Sequence, residues 1–320
     1  MGNDLAAIAQ SLNTPVWWNQ QIVVGSPIRA RTRGGNLDDP SFAGYRFGKN
    51  REGSNMDVVR ELRQPQTISG QRYDTLVLTE RHDLPSVLQW ENTVRYVRHF
   101  HDRLIEGNSQ ASTYLYHAWL GLTDKNDPRN WIAYERSAAP VWQCVASRVN
   151  ESLSHEGRGD RVAYLPAGLA LAKLIEQATQ SSVAGVSGSS TRETVDRIVA
   201  DDVHTTRLGT YYMALVTYAS VYRRSPVGAW SPSEVNATQA RSLQEVAWQA
   251  VSQHYASSPQ PSLAQCRETM RTSFCSSYYT YRNDSSKTPG CQTLFSQLST
   301  DNPFYFDPAS NASYWFPPPQ

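Results

Sequence analysis

The chain has 320 residues, four cysteines and a net charge of +1. That length accommodates one domain with an appendage or two domains, and the near-zero charge excludes the basic footprint that nucleic acid or an anionic membrane surface demands. No apolar run is long enough to span a bilayer, and the first residues lack the basic and apolar regions of a signal peptide.

Taken in order, the chain opens on a helix signal. Asp4 can cap it, and Leu5, Ile8, Ala9 and Leu12 fall on one face. Residues 20–24 form a short β-branched run ending at Gly25-Ser26-Pro27, which predicts a strand entering a turn. From 29 to 53 Gly, Arg and Asp dominate and neither period holds. A loop of that length is usually functional or mobile. Residues 56–62 supply one or two helical turns.

Residues 73–78, Tyr-Asp-Thr-Leu-Val-Leu, carry the strongest strand signal and run into the polar cluster Thr79, Glu80, Arg81, His82 and Asp83. A helix over 91–105 follows, with Val94, Val97, Phe100, Leu104 and Ile105 on one side. A strand over 112–116 ends at His117-Ala118-Trp119. After a polar loop, Ala138, Val141, Trp142, Val145, Val149 and Leu153 mark the face of another helix. Residues 161–165 read as a strand stopped by Pro166, and 169–178 as a helix. The Gly- and Ser-rich stretch 181–190 reads as a flexible connection.

Next comes Ala200-Asp201-Asp202-Val203-His204-Thr205-Thr206, a polar turn running into an amphipathic helix. Leu208, Tyr211, Tyr212, Leu215, Ala219 and Tyr222 are spaced for one face of that helix, and Thr205 or Thr206 caps it. An Asp three residues before a His supplies a base and its orienter. The carboxylate selects the imidazole tautomer and stabilises the imidazolium formed when the ring takes a proton. The plainer reading of the same spacing is an acidic helix start beside a solvated His. Asp202 competes with Asp201 for the orienting role.

The remaining candidates are weaker. His99 and His101 lie two apart on a helix and point in different directions, so they cannot share a metal and are expected on a solvated surface. His82 and His117 follow strands and could line a site or simply face water. Glu80, also after a strand, reads either as an acid catalyst or as a buried residue that orients its loop. No phosphate-cradling glycine loop and no zinc spacing occurs, so no cofactor or metal is expected. Trp17, Trp18, Trp90 and Trp119 offer faces for stacking sugars, or else belong to the core and its rim.

Strands alternating with helices predict a parallel sheet covered on both faces. Sites in such sheets lie beyond the carboxyl ends of the strands. Beyond Gly228 one further helix is expected at 236–255. After Pro259 the chain turns rich in Ser, Tyr, Asn and Pro, and an irregular extension is expected. The organisation read from this is an α/β domain over 1–228 and an extension over 229–320. Cys266, Cys275 and Cys291 all lie in the extension, while Cys144 sits on a helix. One disulfide joining two of those three is expected, in an oxidising compartment, the third being unpaired or partnered elsewhere.

Asp201-Asp202-Val203-His204, with the Gly and Tyr residues that open the following helix, resembles the last block of the SGNH (GDSL-like) hydrolase superfamily. Val24-Gly25-Ser26-Pro27 resembles its second block. Leu76-Val77-Leu78-Thr79-Glu80 stands where the third block, Gly-x-Asn-Asp, follows its strand, and departs from that pattern. The resemblance spans roughly residues 1–228. It implies a flavodoxin-like three-layer α/β/α sandwich and a serine esterase acting on acyl esters, acetyl esters of carbohydrates or small molecules above all. In that scheme His204 is base and acid, Asp201 its orienter and Gly25 an oxyanion amide; the side-chain oxyanion donor is left unassigned.

The family's first block, a strand ending in Gly-x-Ser, has no counterpart, because Met1-Gly2-Asn3-Asp4 already stands at the first helix. The nucleophilic Ser is therefore expected ahead of Met1, on a strand central to the sheet, and the 320-residue chain alone is expected to fold poorly. The alternative is a non-catalytic SGNH-fold protein that binds a carbohydrate or small ester. Expected partners are ester substrates, not nucleic acid or membrane, and the expected location is periplasmic or secreted.

Overall fold

The computed structural model describes residues 1–34, 42–46, 49–65, 67, 70–257 and 259–316. In chain order these form α1 (Gly2–Ser11), α2 (Ile28–Arg33), α3 (Val58–Arg63), β1 (Thr75–Thr79), α4 (Leu84–Trp90), α5 (Thr93–Gly107) and β2 (Ser112–Tyr116). Then follow α6 (Arg129–His155), β3 (Val162–Leu165), α7 (Ala167–Gln180), α8 (Thr191–Ile198), α9 (Arg207–Tyr222) and α10 (Ala237–Ser257). The last four are α11 (Leu263–Thr269), α12 (Cys275–Tyr281), α13 (Thr288–Ser296) and α14 (Asn311–Tyr314). The strands make a three-stranded parallel sheet in the order β1-β2-β3, with Thr75 opposite Ser112 and Thr79 opposite Tyr116. Helices make both crossovers, as parallel neighbours require, and the fold is the expected α/β/α kind. No described helix is long and apolar enough to cross a membrane.

Contacts divide the chain into two compact units. The first comprises Met1–Trp17, His117–Ala139 and Leu165–Pro259. Its centre is α9, against which α1, α7, α8 and α10 all pack. The single apolar face expected for α9 is a correction: every residue from Tyr211 to Ser220 is buried, because neighbours surround the helix. Small residues, Ala214, Ala219 and Ser220, let those neighbours approach. α10 lies beyond Gly228 yet belongs here, packed on α9 and α7.

The second unit comprises Trp18–Tyr116, Pro140–Tyr164 and Gln260–Gln320, and holds the sheet apart from Leu165. α5 is its central helix and touches α2, α3, β1 and β2. Residues 20–24 do not form the expected strand. Ile22 makes one isolated antiparallel bridge with Lys49, and Val24 is 93% exposed. β-branched residues favour a strand only where they pack on a pleated surface, and here they have none.

The stretch after Pro259 is also better ordered than expected, carrying α11 to α14. Ser262 and Gln265 form a capping box that starts α11. Two disulfides hold the segment, Cys275–Cys291 within it and Cys144–Cys266 to α6. Arginines add to this: Arg33 lies 5.0 Å over Phe316, Arg95 3.9 Å over Phe316 and Arg148 4.5 Å over Tyr314. A planar, weakly hydrated guanidinium stacks on rings in a way that an ammonium does not.

Candidate active site

The Asp201–His204 turn is closed by an antiparallel bridge between Val199 and Thr205. Ala200 N–H donates to the His204 carbonyl at 2.8 Å and Thr206 N–H to that of Ile198 at 2.9 Å. Thr206 then caps α9, accepting from Gly209 N–H at 3.1 Å. Gly209 is required by close approach, since a Cβ there would stand 2.2 Å from the Ile198 carbonyl oxygen.

Inside the turn one carboxylate does two things. Asp201 Oδ1 accepts the backbone N–H groups of Val203 (2.8 Å) and His204 (2.6 Å), an Asx-type turn. Its Oδ2 lies 2.7 Å from His204 Nδ1. The backbone N–H of His204, its ring and the N–H of Val203 together hold the Asp201 carboxyl well below the usual range. With Nδ1 donating to Asp201, Nε2 is left as the acceptor. Both side chains are open to water, 79% exposed for His204 and 54% for Asp201. It is Asp201, not Asp202, that meets the ring; the Asp202 side chain lies against Gly121.

The turn rests on the loop that follows β2 in the chain. Trp119 Nε1 donates to the Val203 carbonyl at 2.7 Å, Leu122 N–H to that of Asp202 at 2.7 Å, and Lys125 Nζ to that of Ala200 at 3.1 Å. α6 braces this loop from beneath. Trp131 Nε1 donates to the Leu120 carbonyl at 2.6 Å, and Glu135 Oε1 accepts Leu120 N–H at 2.8 Å. The other oxygen of Glu135 lies 2.9 Å from His117 Nε2, and neither side chain is exposed at all. Burial pushes the Glu135 carboxyl up, with the His117 hydrogen bond acting against it. Gly168 permits the fit, for a Cβ there would stand 2.7 Å from His117 Nε2. His117 is thus a brace beneath the loop and faces no open cleft.

α1 reaches the same end of α9. Asp4 does not cap α1 but sits in its first turn, where Arg207 of α9 donates to it at 3.0 Å. The N-terminal turns of the two helices are thereby held together, three residues beyond Met1 on one side and three beyond His204 on the other.

Gly25, Glu80 and His82 belong to the second unit. Gly25 occupies an exposed turn at φ +69° with open space around it. Glu80 is buried and orients its loop: it accepts from Ile28 N–H (3.1 Å), Arg81 N–H (2.8 Å) and Thr93 Oγ1 (2.8 Å). Burial raises its carboxyl, and Arg31 opposes the shift. The His82 carbonyl accepts from Leu84 N–H at 3.0 Å. His99 and His101 are not on a solvated surface, as expected, but buried, because α5 is covered on several sides. His99 meets the Tyr45 hydroxyl; His101 lies 2.9 Å from Thr113 Oγ1 and 2.7 Å from Asp160 Oδ2.

Sequence reasoning missed the supporting roles of Trp119, Lys125 and Glu135. The signal for Glu135 is a carboxylate three or four residues from Trp131, Ile132, Ala138 and Ala139, on the apolar face of its helix. Among the described residues no group of His, Cys, Asp and Glu is arranged to hold a metal.

No family model matches the chain, and no curated protein does. Among solved structures it is similar to a DUF4886 family protein from Bacteroides uniformis ATCC 8492, with a TM-score of 0.50 and 11% identity over 78% of this chain and 90% of that one. At that identity the likeness speaks for the fold alone.

Proposed function

We propose that this chain acts as an SGNH-type serine esterase, with His204 as base and acid and Asp201 as its orienter. The observation that carries the reading is the 2.7 Å contact between Asp201 Oδ2 and His204 Nδ1 on a braced, water-accessible turn. Such a pair activates a hydroxyl. Nε2 takes the Ser proton as Oγ bonds to the acyl carbon, then gives it to the departing alkoxide as the ester C–O bond breaks. Water, deprotonated by the same ring, releases the acid. The esterase reading requires a Ser within reach of His204 Nε2, and the Arg207–Asp4 tie holds the start of α1 at the His204 end of α9. Acyl esters, acetyl esters of carbohydrates first, are the proposed substrates, on the strength of the resemblance. Two disulfides favour a periplasmic or secreted setting.

A second reading has its own observation: among the described residues none hydrogen-bonds to His204 Nε2. It makes the protein a non-catalytic binder of a carbohydrate or small ester. The test is p-nitrophenyl acetate turnover and fluorophosphonate labelling of the protein carrying the sequence encoded upstream of Met1. Labelling of an upstream Ser that is lost in His204→Ala supports the esterase. An upstream sequence without such a Ser, or turnover indifferent to His204→Ala, leaves the binder.

A further inference from the structure

We propose that the corner carrying Trp90, in the second unit, binds a neutral oligosaccharide chain. α4 ends at Trp90 and α5 starts at Thr93, so only two residues link the helices, with Asn92 in the left-handed region at φ +53°. Asn is among the few residues that accept that conformation cheaply. The corner is anchored from below by Thr93 Oγ1, which lies 2.8 Å from Glu80 and 3.0 Å from the Val87 carbonyl. Arg29 Nη1 holds the Trp90 carbonyl at 3.0 Å. The backbone is pinned while the indole stands out in water, 64% exposed.

A lone exposed aromatic is ordinary. What sets this one apart is its flanks. Cavities of about 580 and 600 Å³ share Gln89 and Trp90 as lining, each within the roughly 300–1,000 Å³ usual for ligand sites. The first is walled by Tyr278 and Tyr279 of α12 and by Gly290 and Cys291 of α13, and the Cys275–Cys291 disulfide ties those helices together. The second has Leu88 and Val94 as a buried floor and Asn92, Gln297, Thr300 and Ser313 around it. One aromatic platform thus serves two adjoining recesses.

The chemistry of the lining selects the ligand. Amides and hydroxyls that both donate and accept match the hydroxyls of a sugar, while the indole face accepts the C–H face of a pyranose ring. Charge is nearly balanced: Asp284 pairs with Lys287 at 2.6 Å, Arg95 stacks on Phe316, and Arg282 and Asp301 are of opposite sign. A polyanion would call for a basic groove, and a protein partner for a cluster of apolar anchors. A single platform between two recesses suits a chain of several sugars better than one.

Affinity electrophoresis of the full chain in gels containing a xylan, a β-glucan or a galactomannan tests this, with heparin as the anionic control. At least one neutral polysaccharide should retard the protein, and calorimetry with the matching hexasaccharide should show Kd rising tenfold or more in Trp90→Ala. Trp90→Phe should retain most of the binding, and the melting temperature of each variant reports its folding. Cys275→Ser with Cys291→Ser should weaken binding by loosening one wall. The proposal is overturned if no neutral polysaccharide retards the protein, if folded Trp90→Ala binds as tightly, or if heparin alone retards it. Trp90-dependent self-association without glycan binding would overturn it too, by pointing to a protein interface. No catalysis is measured, so the outcome is independent of the esterase reading.

Discussion

The first unit contains two histidine–carboxylate pairs of nearly equal geometry and opposite surroundings. His204 and Asp201 are 2.7 Å apart and largely exposed; His117 and Glu135 are 2.9 Å apart and wholly buried. Distance alone therefore does not mark a catalytic pair. The exposed ring can meet a substrate, and its ion-pair geometry adds little to stability, since water screens it. The buried pair has no access to substrate, but it holds Leu120 and the loop on which the exposed turn rests. One pair is open to water and the other braces the loop beneath it.

The largest effect that sharpens this contrast is on rate. On the proposed esterase reading, His204→Ala should lower ester turnover by a factor on the order of 10⁶, and Asp201→Asn by about 10⁴. Neither should shift the melting temperature. Substantial unfolding by either variant would break the distinction between the pairs.

Next in size is the buried pair. His117→Ala or Glu135→Ala leaves an unmatched polar group inside and should cost about 3–5 kcal/mol of stability, read from the urea midpoint. A loss as small as that of a surface variant would mean that the pair braces nothing.

The coupling between the two comes third. Trp119→Phe keeps the ring but removes the N–H that holds the Val203 carbonyl. It should cost about 1 kcal/mol in stability and about tenfold in kcat, the rate equivalent of about 1.4 kcal/mol. An unchanged kcat would show that Asp201 alone fixes the ring.

The last effect is a pH dependence. Burial, helped by Arg103 and Arg33, lowers His99 to about 3, and burial with Arg223 lowers His254 to about 4. Both rings stay neutral in the fold, whereas the unfolded chain takes up protons below about pH 6.5. Stability is therefore fully present above that pH and falls as pH drops from about 6.5 towards 4. Melting curves across this window should show the decline. It should lessen in His99→Gln and in His254→Gln.

What the sequence determined by itself is what lies within a few residues of itself. Asp201 reaches His204 because an Asx turn spans three residues, and no distant partner is needed to form it. β2 and β3 and the long helices α6 and α10 were legible because apolar periodicity is local. The tertiary structure decided everything that depends on a partner far along the chain. Residues 20–24 look like a strand but find no sheet surface to pack on. His99 and His101 look solvated, yet Tyr45 and Asp160 meet them inside, 54 and 59 residues away. Cys144 sits on a helix with no partner nearby in the chain until Cys266 reaches it across 122 residues. Trp119 reads as a surface ring until the Val203 carbonyl, 84 residues on, accepts its N–H. The reason is physical: a turn or a helical face is set by neighbouring residues, whereas burial and long-range pairing depend on how the whole chain packs.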